Sequence, residues 1–360
     1  MKYLIQLCRV LVGVTFIISG FIKLNDPMGF AFKLEDYFAP DVLNLPFLLP
    51  YTLVLATFVC IFEVVLGVAL LVGYQKKLTL WLLLAMLVFF GFLTFYSAYY
   101  NKVTDCGCFG DAIKFTPWQS FTKDLVLLAL TLVVFWGQKH VQPITNNRLP
   151  LTFTALSVAA CIGFVCYVYN HLPLIDFRPY KIGANIPEGM KTPEGKIVYH
   201  WTVKMDGKEQ TVTNYGQVPK DSHGDYAEVV KVENEVPKAP MHDFYIWNSD
   251  GDDFFDEFIM KDKLLLVICY RLDRTHEEAF KEIKKVTDQA MKKGYTVLGL
   301  TSTLGAAADI VKKYELNFDF YYNDGTTLKT VIRANPGLVR LSKGTIVNKK
   351  HYNDADEILN

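Results

Sequence analysis

Five apolar stretches constrain this chain more than any other feature of it. They cover residues 3–22, 52–72, 78–100, 121–136 and 151–169. Each approaches or exceeds the roughly 18–20 residues that cross a bilayer as helix. The fourth is short and borrows residues 116–120 to reach full length. In lipid every backbone N–H and C=O must find its partner within the protein, which selects helices for such segments. A cleaved signal peptide would explain the first stretch, but no small-residue cleavage site follows it. The chain continues instead as Lys23-Leu24-Asn25-Asp26-Pro27, and Cys8 follows Leu7 too early for a lipoprotein signal.

Composition divides at the end of the fifth stretch. Residues 1–172 hold 11 Lys/Arg and 8 Asp/Glu, whereas the remaining residues hold 26 and 29. The zero net charge of the whole chain is therefore an average over two unlike halves, and neither has the basic excess of a nucleic-acid binder. The reading is an α-helical membrane bundle joined to a soluble domain. Its expected parts are a four-helix membrane domain (1–140), a fifth transmembrane helix (141–172), a juxtamembrane linker with a β-hairpin module (173–238) and an α/β domain (239–360).

Basic residues in short loops set the expected orientation. Gln75-Lys76-Lys77 and residues 139–148 are basic and lack acids, while residues 23–51 and 101–117 carry acids to match or exceed their bases. With Lys2 and Arg9 marking a cytoplasmic N-terminus, both basic turns are cytoplasmic. The acidic loops and residues 173–360 then lie outside a bacterial-type inner membrane.

Ionisable groups inside spans are costly and therefore informative. Arg9 lies about two turns into the first helix and Glu63 near the middle of the second. Antiparallel packing brings their depths within about a turn, so they are expected to pair. The pair is either structural or part of a proton or quinone site.

Four of the seven cysteines, Cys8, Cys60, Cys161 and Cys166, fall in apolar spans, where cysteine acts as a small hydrophobe. Cys106 and Cys108 differ. They sit in Asp105-Cys106-Gly107-Cys108-Phe109-Gly110-Asp111, outside the membrane between the third and fourth spans. Glycine relieves crowding in so tight a ring, and strained exposed disulfides tend to be labile. Lys23 and Lys123 are expected at the same outer level. An ammonium there lowers a thiol pKa, and Asp105 or Asp111 opposes it. An inert brace and a redox pair both fit. A soft-metal site fits less well, because no histidine lies near Cys106.

Arg9, Ser19-Gly20-Phe21-Ile22-Lys23-Leu24-Asn25-Asp26-Pro27, Glu63 four residues before Gly67, and the cysteine motif together resemble the DoxX/MauE group of membrane proteins. The resemblance covers residues 1–140. It implies a redox-associated component, linked to methylamine dehydrogenase maturation or to sulfur and quinone chemistry, with a membrane quinone as the carrier class. A fifth helix and a large C-terminal domain depart from the four-helix pattern.

In the outer half, aromatics and Arg178 within residues 174–180 read as an interfacial anchor. Residues 196–205 and 209–215 flank the turn Asp206-Gly207 as a hairpin. Beyond residue 239, strands are expected at 244–247, 253–259, 263–270, 295–300, 318–322, 338–342 and 346–350, with helices at 275–292 and 305–314. Phe280, Ile283, Val286 and Ala290 share one face of the first of these helices. This order resembles a thioredoxin-like domain of the TlpA type, which implies a cis-proline at Pro336 after Asn335. Where that family places Cys-x-x-Cys, this chain reads Asp273-Arg274-Thr275-His276. Asp273 and His276 read as a helix cap and Cys269 as a buried packing residue.

The expected function is extracytoplasmic thiol–disulfide or quinone-linked redox through Cys106 and Cys108. Its partners are the lipid bilayer and a protein client or thiol oxidoreductase. The rival is a non-catalytic scaffold or client-binding protein.

Overall fold

The computed structural model describes residues 1–360 apart from 104–106, 108, 114, 146–147, 192–197, 206–207, 215–216, 221–225, 236–238 and 242. The chain forms two compact units, Met1–Arg178 with Lys350–Asp354, and Pro179–Lys349 with Ala355–Asn360.

The first unit is helical: α1 (Lys2–Asn25), α2 (Pro27–Phe38), α3 (Thr52–Val72), α4 (Lys76–Tyr100), α5 (Pro117–Trp136) and α6 (Leu149–Asn170). All but α2 belong to segments long and apolar enough to cross a membrane. At 1.5 Å per residue, the 20 residues of α5 span about 30 Å. Its start is fixed by a capping box, in which Gln119 N–H donates to Thr116 Oγ1 and Thr116 N–H to Gln119 Oε1. Pro117 occupies the first turn, where a missing N–H costs nothing.

The loop expected at residues 23–51 contains α2, which is too short to register as a span. Asp26 caps it by accepting from Gly29 N–H at 2.9 Å, and Phe30, Ala31, Leu34, Tyr37 and Phe38 pack into a core with α3 residues. Helix α1 packs closely on α3. A Cβ on Gly67 would lie 2.8 Å from Gly13 O and 3.1 Å from Ile17 N, so only glycine permits this separation. Leu4, Leu7, Leu11, Ile18 and Phe21 remain exposed on α1, as a lipid-facing surface requires. Cys8, Cys60 and Cys161 are buried, but Cys166 is exposed, which corrects the expectation that all four pack inside. Arg178 is buried, its guanidinium donating to both oxygens of Asp176 at 2.7 and 3.0 Å.

The second unit holds two sheets. In the smaller, β1 (Val198–Met205) pairs antiparallel with β2 (Lys208–Asn214), Met205 opposite Lys208, as the hairpin reading requires. The turn residues Asp206 and Gly207 lie outside the described residues. An unanticipated β3 (Glu228–Glu235) pairs with the other edge of β1. The larger sheet has the order β6 (Phe320–Tyr322), β5 (Thr296–Thr301), β4 (Leu264–Cys269), β7 (Gly337–Ser342), β8 (Thr345–His351). Central β4 is buried along its whole length, parallel to β5 and antiparallel to β7.

This unit also holds the helices α7 (Phe280–Lys292), α8 (Ala307–Tyr314) and α9 (Gly325–Val331). On α7, Phe280, Ile283, Val286 and Ala290 are buried, the face set by helical periodicity. This α/β arrangement is the one the thioredoxin-like resemblance implies, and the Asn335–Pro336 bond is cis. The strands expected at 244–247 and 253–259 do not form. Asn248 Oδ1 accepts from Asp250 N–H at 2.9 Å and Asp252 N–H at 2.8 Å, and Asp253 accepts from Phe255 N–H at the start of a short helix, Phe255–Ile259. Such local side-chain bonds compete with a ladder. Only single bridges from Trp247 to Asp253 and Tyr322 remain.

Candidate functional site

Lys23 sits in the last turn of α1, with Ser19 one turn earlier. Its ammonium turns inward, donating to Ser19 Oγ at 3.0 Å and to Glu63 Oε2 of α3 at 2.5 Å. The two charged side chains are 2% and 6% exposed. The ammonium also lies 5.0 Å from the Phe90 ring centroid and 5.7 Å from that of Phe30, a favourable cation–π setting.

The expected Arg9–Glu63 pair is not formed. Arg9 donates from Nε to Leu70 O at 2.9 Å and from Nη2 to Leu71 O at 2.8 Å, while Nη1 reaches Gln6 Oε1 at 3.2 Å. Leu70 lies about two turns beyond Glu63, roughly 10 Å along the helix. The last carbonyls of α3 carry the negative end of the helix dipole and keep spare acceptor capacity, so they satisfy a buried guanidinium.

A second pair lies on α5. Lys123 Nζ is 2.8 Å from Asp124 Oδ1, and Asp124 Oδ2 accepts from Thr94 Oγ1 of α4 at 3.0 Å. Asp124 is buried, while Lys123 keeps 23% side-chain exposure. A cavity of about 10 Å³ is lined by Thr15, Ser19, Lys23, Glu63, Lys123 and Asp124 among others, so both pairs face one space. That volume is at the lower limit for one water. Sequence reasoning missed Asp124, Ser19 and Thr94. The signal for Asp124 was present: it is an acid inside an apolar span, the criterion that singled out Glu63.

Cys106, Cys108 and Asp105 lie outside the described residues. Their neighbours are defined. Gly107 and Gly110 have φ of +65° and +51°, which favours glycine, and a Cβ on Gly107 would lie 3.1 Å from Lys33 Cγ of α2. Gly110 N–H donates to Gly107 O at 3.0 Å and Ala112 N–H to Phe109 O at 3.2 Å, a compact turn that includes Asp111. The Phe109 ring centroid is 5.3 Å from Lys123 Nζ. Of the two lysines expected beside the loop, Lys123 meets it through Phe109. Lys23 turns its ammonium inward to Glu63 instead of toward the loop.

In the second unit residues 271–276 are tied down by polar groups. Thr275 Oγ1 donates to Arg271 O at 2.8 Å and Asn335 Nδ2 donates to the same oxygen at 2.9 Å. His276 N–H donates to Asn335 O at 3.1 Å. Asp273 caps no helix. It accepts from Arg271 Nε at 2.9 Å, and that guanidinium holds its carboxyl below the usual range. The helix begins only at Phe280, after two 3₁₀ turns at Leu272–Arg274 and Glu277–Ala279, and the second turn has no side-chain cap from His276. Cys269 is fully buried in β4, and burial pushes its thiol up. Among the described residues no group of three His, Cys, Asp or Glu is placed to hold a metal ion.

Among solved structures, one similar chain is a thioredoxin-like protein from Bacteroides caccae ATCC 43185, at 20% identity and a TM-score of 0.24, covering 32% of this chain and 45% of that one. Another is a hypothetical protein from Sinorhizobium meliloti 1021, at 18% identity and a TM-score of 0.25, covering 30% of this chain and 66% of that one. No curated protein matches the chain. The family described as methylamine utilisation protein MauE matches residues 1–137. The chain is thus a multi-pass membrane protein whose region from α1 to the end of α5 matches the MauE family.

Proposed function

We propose that this redox-associated membrane protein carries out thiol–disulfide exchange outside the membrane, with Cys106 and Cys108 as the exchanging pair. The observation that supports it best is the seating of their loop. Gly107 rests on Lys33, and Phe109 lies against the ammonium of Lys123, whose partner Asp124 belongs to a buried charged cluster. A fixed cation beside a thiol favours the thiolate, which is the reacting form.

In the cycle, a client thiolate attacks the Cys106–Cys108 disulfide, and a second client thiolate displaces the mixed disulfide. The client loses two electrons and two protons and leaves as a disulfide, while Cys106 and Cys108 become thiols. A two-electron acceptor of the quinone class restores the disulfide and becomes a quinol by taking two electrons and two protons. The second unit acts as a client-binding module on the same extracytoplasmic side, in a bacterial-type inner membrane with a cytoplasmic N-terminus. A scaffold reading is favoured by one observation: residues 273–276, in the position of the usual Cys-x-x-Cys, contain no thiol.

Thiol trapping followed by mass spectrometry of the full chain tests the proposal. Interconversion of Cys106 and Cys108 between oxidised and reduced forms, lost in Cys106→Ser, is expected. A pair locked in one state, with Cys106→Ser leaving client disulfides unchanged, refutes exchange and leaves the scaffold.

A further inference from the structure

We propose that the end of the bundle at which α1, α4 and α6 begin binds anionic phospholipid. Lys77 and Lys139 take the phosphodiester, and Trp81 and Trp136 lie beside the glycerol and acyl chains.

Residues 1–25, 64–104 and 125–175 supply that end, and none of the three stretches contains Asp or Glu. Six basic residues mark it: Lys2, Arg9, Lys76, Lys77, Lys139 and Arg148. Two of them bind carbonyls of the protein itself. Arg9 reaches Leu70 and Leu71, and Lys76 Nζ donates to Val141 O at 3.0 Å. Lys2, Lys77 and Lys139 are exposed, and among the described residues none of the three pairs with an acid. Lys77 does not serve its own helix either. It lies in the first turn of α4, where the dipole disfavours a cation. At the other end Asp26, Glu35, Asp36 and Asp41 accompany Lys33. The uncompensated positive charge is therefore confined to one end, and a spanning bundle meets its anions there as lipid phosphates.

The geometry puts an apolar surface just inside these charges. The bond from Lys76 to Val141 sets the start of α4 level with the turn Gln138–His140. Gln6 Nε2 donates to His140 O at 2.7 Å and ties the same turn to α1. Lys77 precedes Trp81 by four residues, so the two share a face of α4. Trp81 meets Phe135 of α5 edge-on, with ring centroids 5.0 Å apart, and Trp136 and then Lys139 follow in the chain. Each lysine thus stands about one turn farther out than a tryptophan.

Trp81 is 62% exposed and Trp136 77%, and neither indole N–H has a partner among the described residues. A cation outside and an amphipathic ring inside match the order in which a phospholipid presents phosphate, glycerol and acyl chain. An indole N–H donates to phosphate or ester oxygens while the ring body stays in hydrocarbon. A zwitterionic headgroup brings its own ammonium against the lysines, so the surface selects lipid of net negative charge.

Native mass spectrometry of the full-length protein in detergent, with equimolar dioleoyl phosphatidylglycerol and dioleoyl phosphatidylethanolamine, tests this. Phosphatidylglycerol adducts are expected to dominate. Each lysine beside anionic lipid is worth about fivefold in affinity, so Lys77→Gln/Lys139→Gln should weaken those adducts about 25-fold. Phosphatidylethanolamine adducts should not change, and Lys102→Gln at the opposite end should alter neither lipid. Glycerol phosphate in excess lacks the acyl chains and should not displace the lipid. Equal adducts of the two lipids, an unchanged preference in the double variant, or an equal loss in Lys102→Gln overturns the proposal. Displacement by glycerol phosphate also overturns it, leaving a site for free phosphate esters. Wild-type protein in vesicles of equal parts of the two lipids gives a readout that needs no variant. Phosphatidylglycerol brominated in its acyl chains should quench tryptophan fluorescence more than brominated phosphatidylethanolamine at the same mole fraction, and equal quenching refutes the selectivity.

Discussion

Lys23→Met tests the physical basis of the charged cluster most directly. In the native bundle its ammonium has Glu63 at 2.5 Å and Ser19 at 3.0 Å, with neither charged side chain more than 6% exposed. Removing the lysine leaves the Glu63 carboxylate buried without its ion partner. Breaking a buried pair in this way costs about 3–5 kcal/mol, a large part of the roughly 5–15 kcal/mol that holds a domain folded. Glu63→Leu strands the ammonium and should cost a similar amount. The double variant Lys23→Met/Glu63→Leu removes both charges and both desolvation costs. It should unfold within about 1 kcal/mol of the wild type, or later, because hydrophobic replacement of a buried pair is often neutral or stabilising. Denaturant titration of the protein in detergent micelles, followed by tryptophan fluorescence, measures all three. The reasoning fails if each single variant costs under about 1 kcal/mol and the two effects add to the double within about 0.5 kcal/mol, the behaviour of independent sites.

Three further outcomes are expected. Gly67→Ala should destabilise the membrane unit by about 1–3 kcal/mol, since its Cβ meets backbone atoms of α1, whereas Gly91→Ala meets nothing within 4 Å and should be neutral or slightly stabilising in the same titration. Cys269 should resist iodoacetamide in the native protein at neutral pH, because its thiol is fully buried and pushed up by that burial; mass spectrometry should find it alkylated only after denaturation. Lys313 lowers the Glu277 carboxyl below 4.5 and is itself raised above 10.5. The pair's contribution is therefore present between those values, fading as pH falls through the folded carboxyl value and as it rises through the folded ammonium value. Both groups are exposed, so the difference between wild type and Glu277→Gln in acid unfolding should be small and should vanish at about 1 M salt.

The elements legible in the sequence were those whose signal is local and repetitive. The five spans needed only length and apolarity, and α7 needed only the spacing of Phe280, Ile283, Val286 and Ala290. The hairpin of β1 and β2 followed from alternation around Asp206-Gly207. Failures came where a short polar side chain outbid the pattern. Asn248 and Asp253 bond their own backbone and break the strands expected on either side. Asp26 caps an unforeseen α2 in what read as an acidic loop, and Asp324 does the same for α9 by accepting from Thr327 N–H at 2.9 Å.

The candidate site divides along the same line. Sequence alone singled out Arg9 and Glu63 as charges inside apolar spans, the Cys-Gly-Cys loop as an unusual thiol pair, and Lys23 and Lys123 as lysines expected beside it. It also determined that residues 273–276 of the α/β domain hold no thiol. It could not decide which charge meets which. An offset of one turn moves a partner by about 5 Å along a helix, and depth counted from helix ends does not resolve it. Only the tertiary structure sent Arg9 to the last carbonyls of α3, turned Lys23 inward to Glu63, and set Lys123 between Asp124 and Phe109. Close glycine packing of α1 on α3 decided the partners of Arg9 and Lys23, because it fixes the relative height of those two helices.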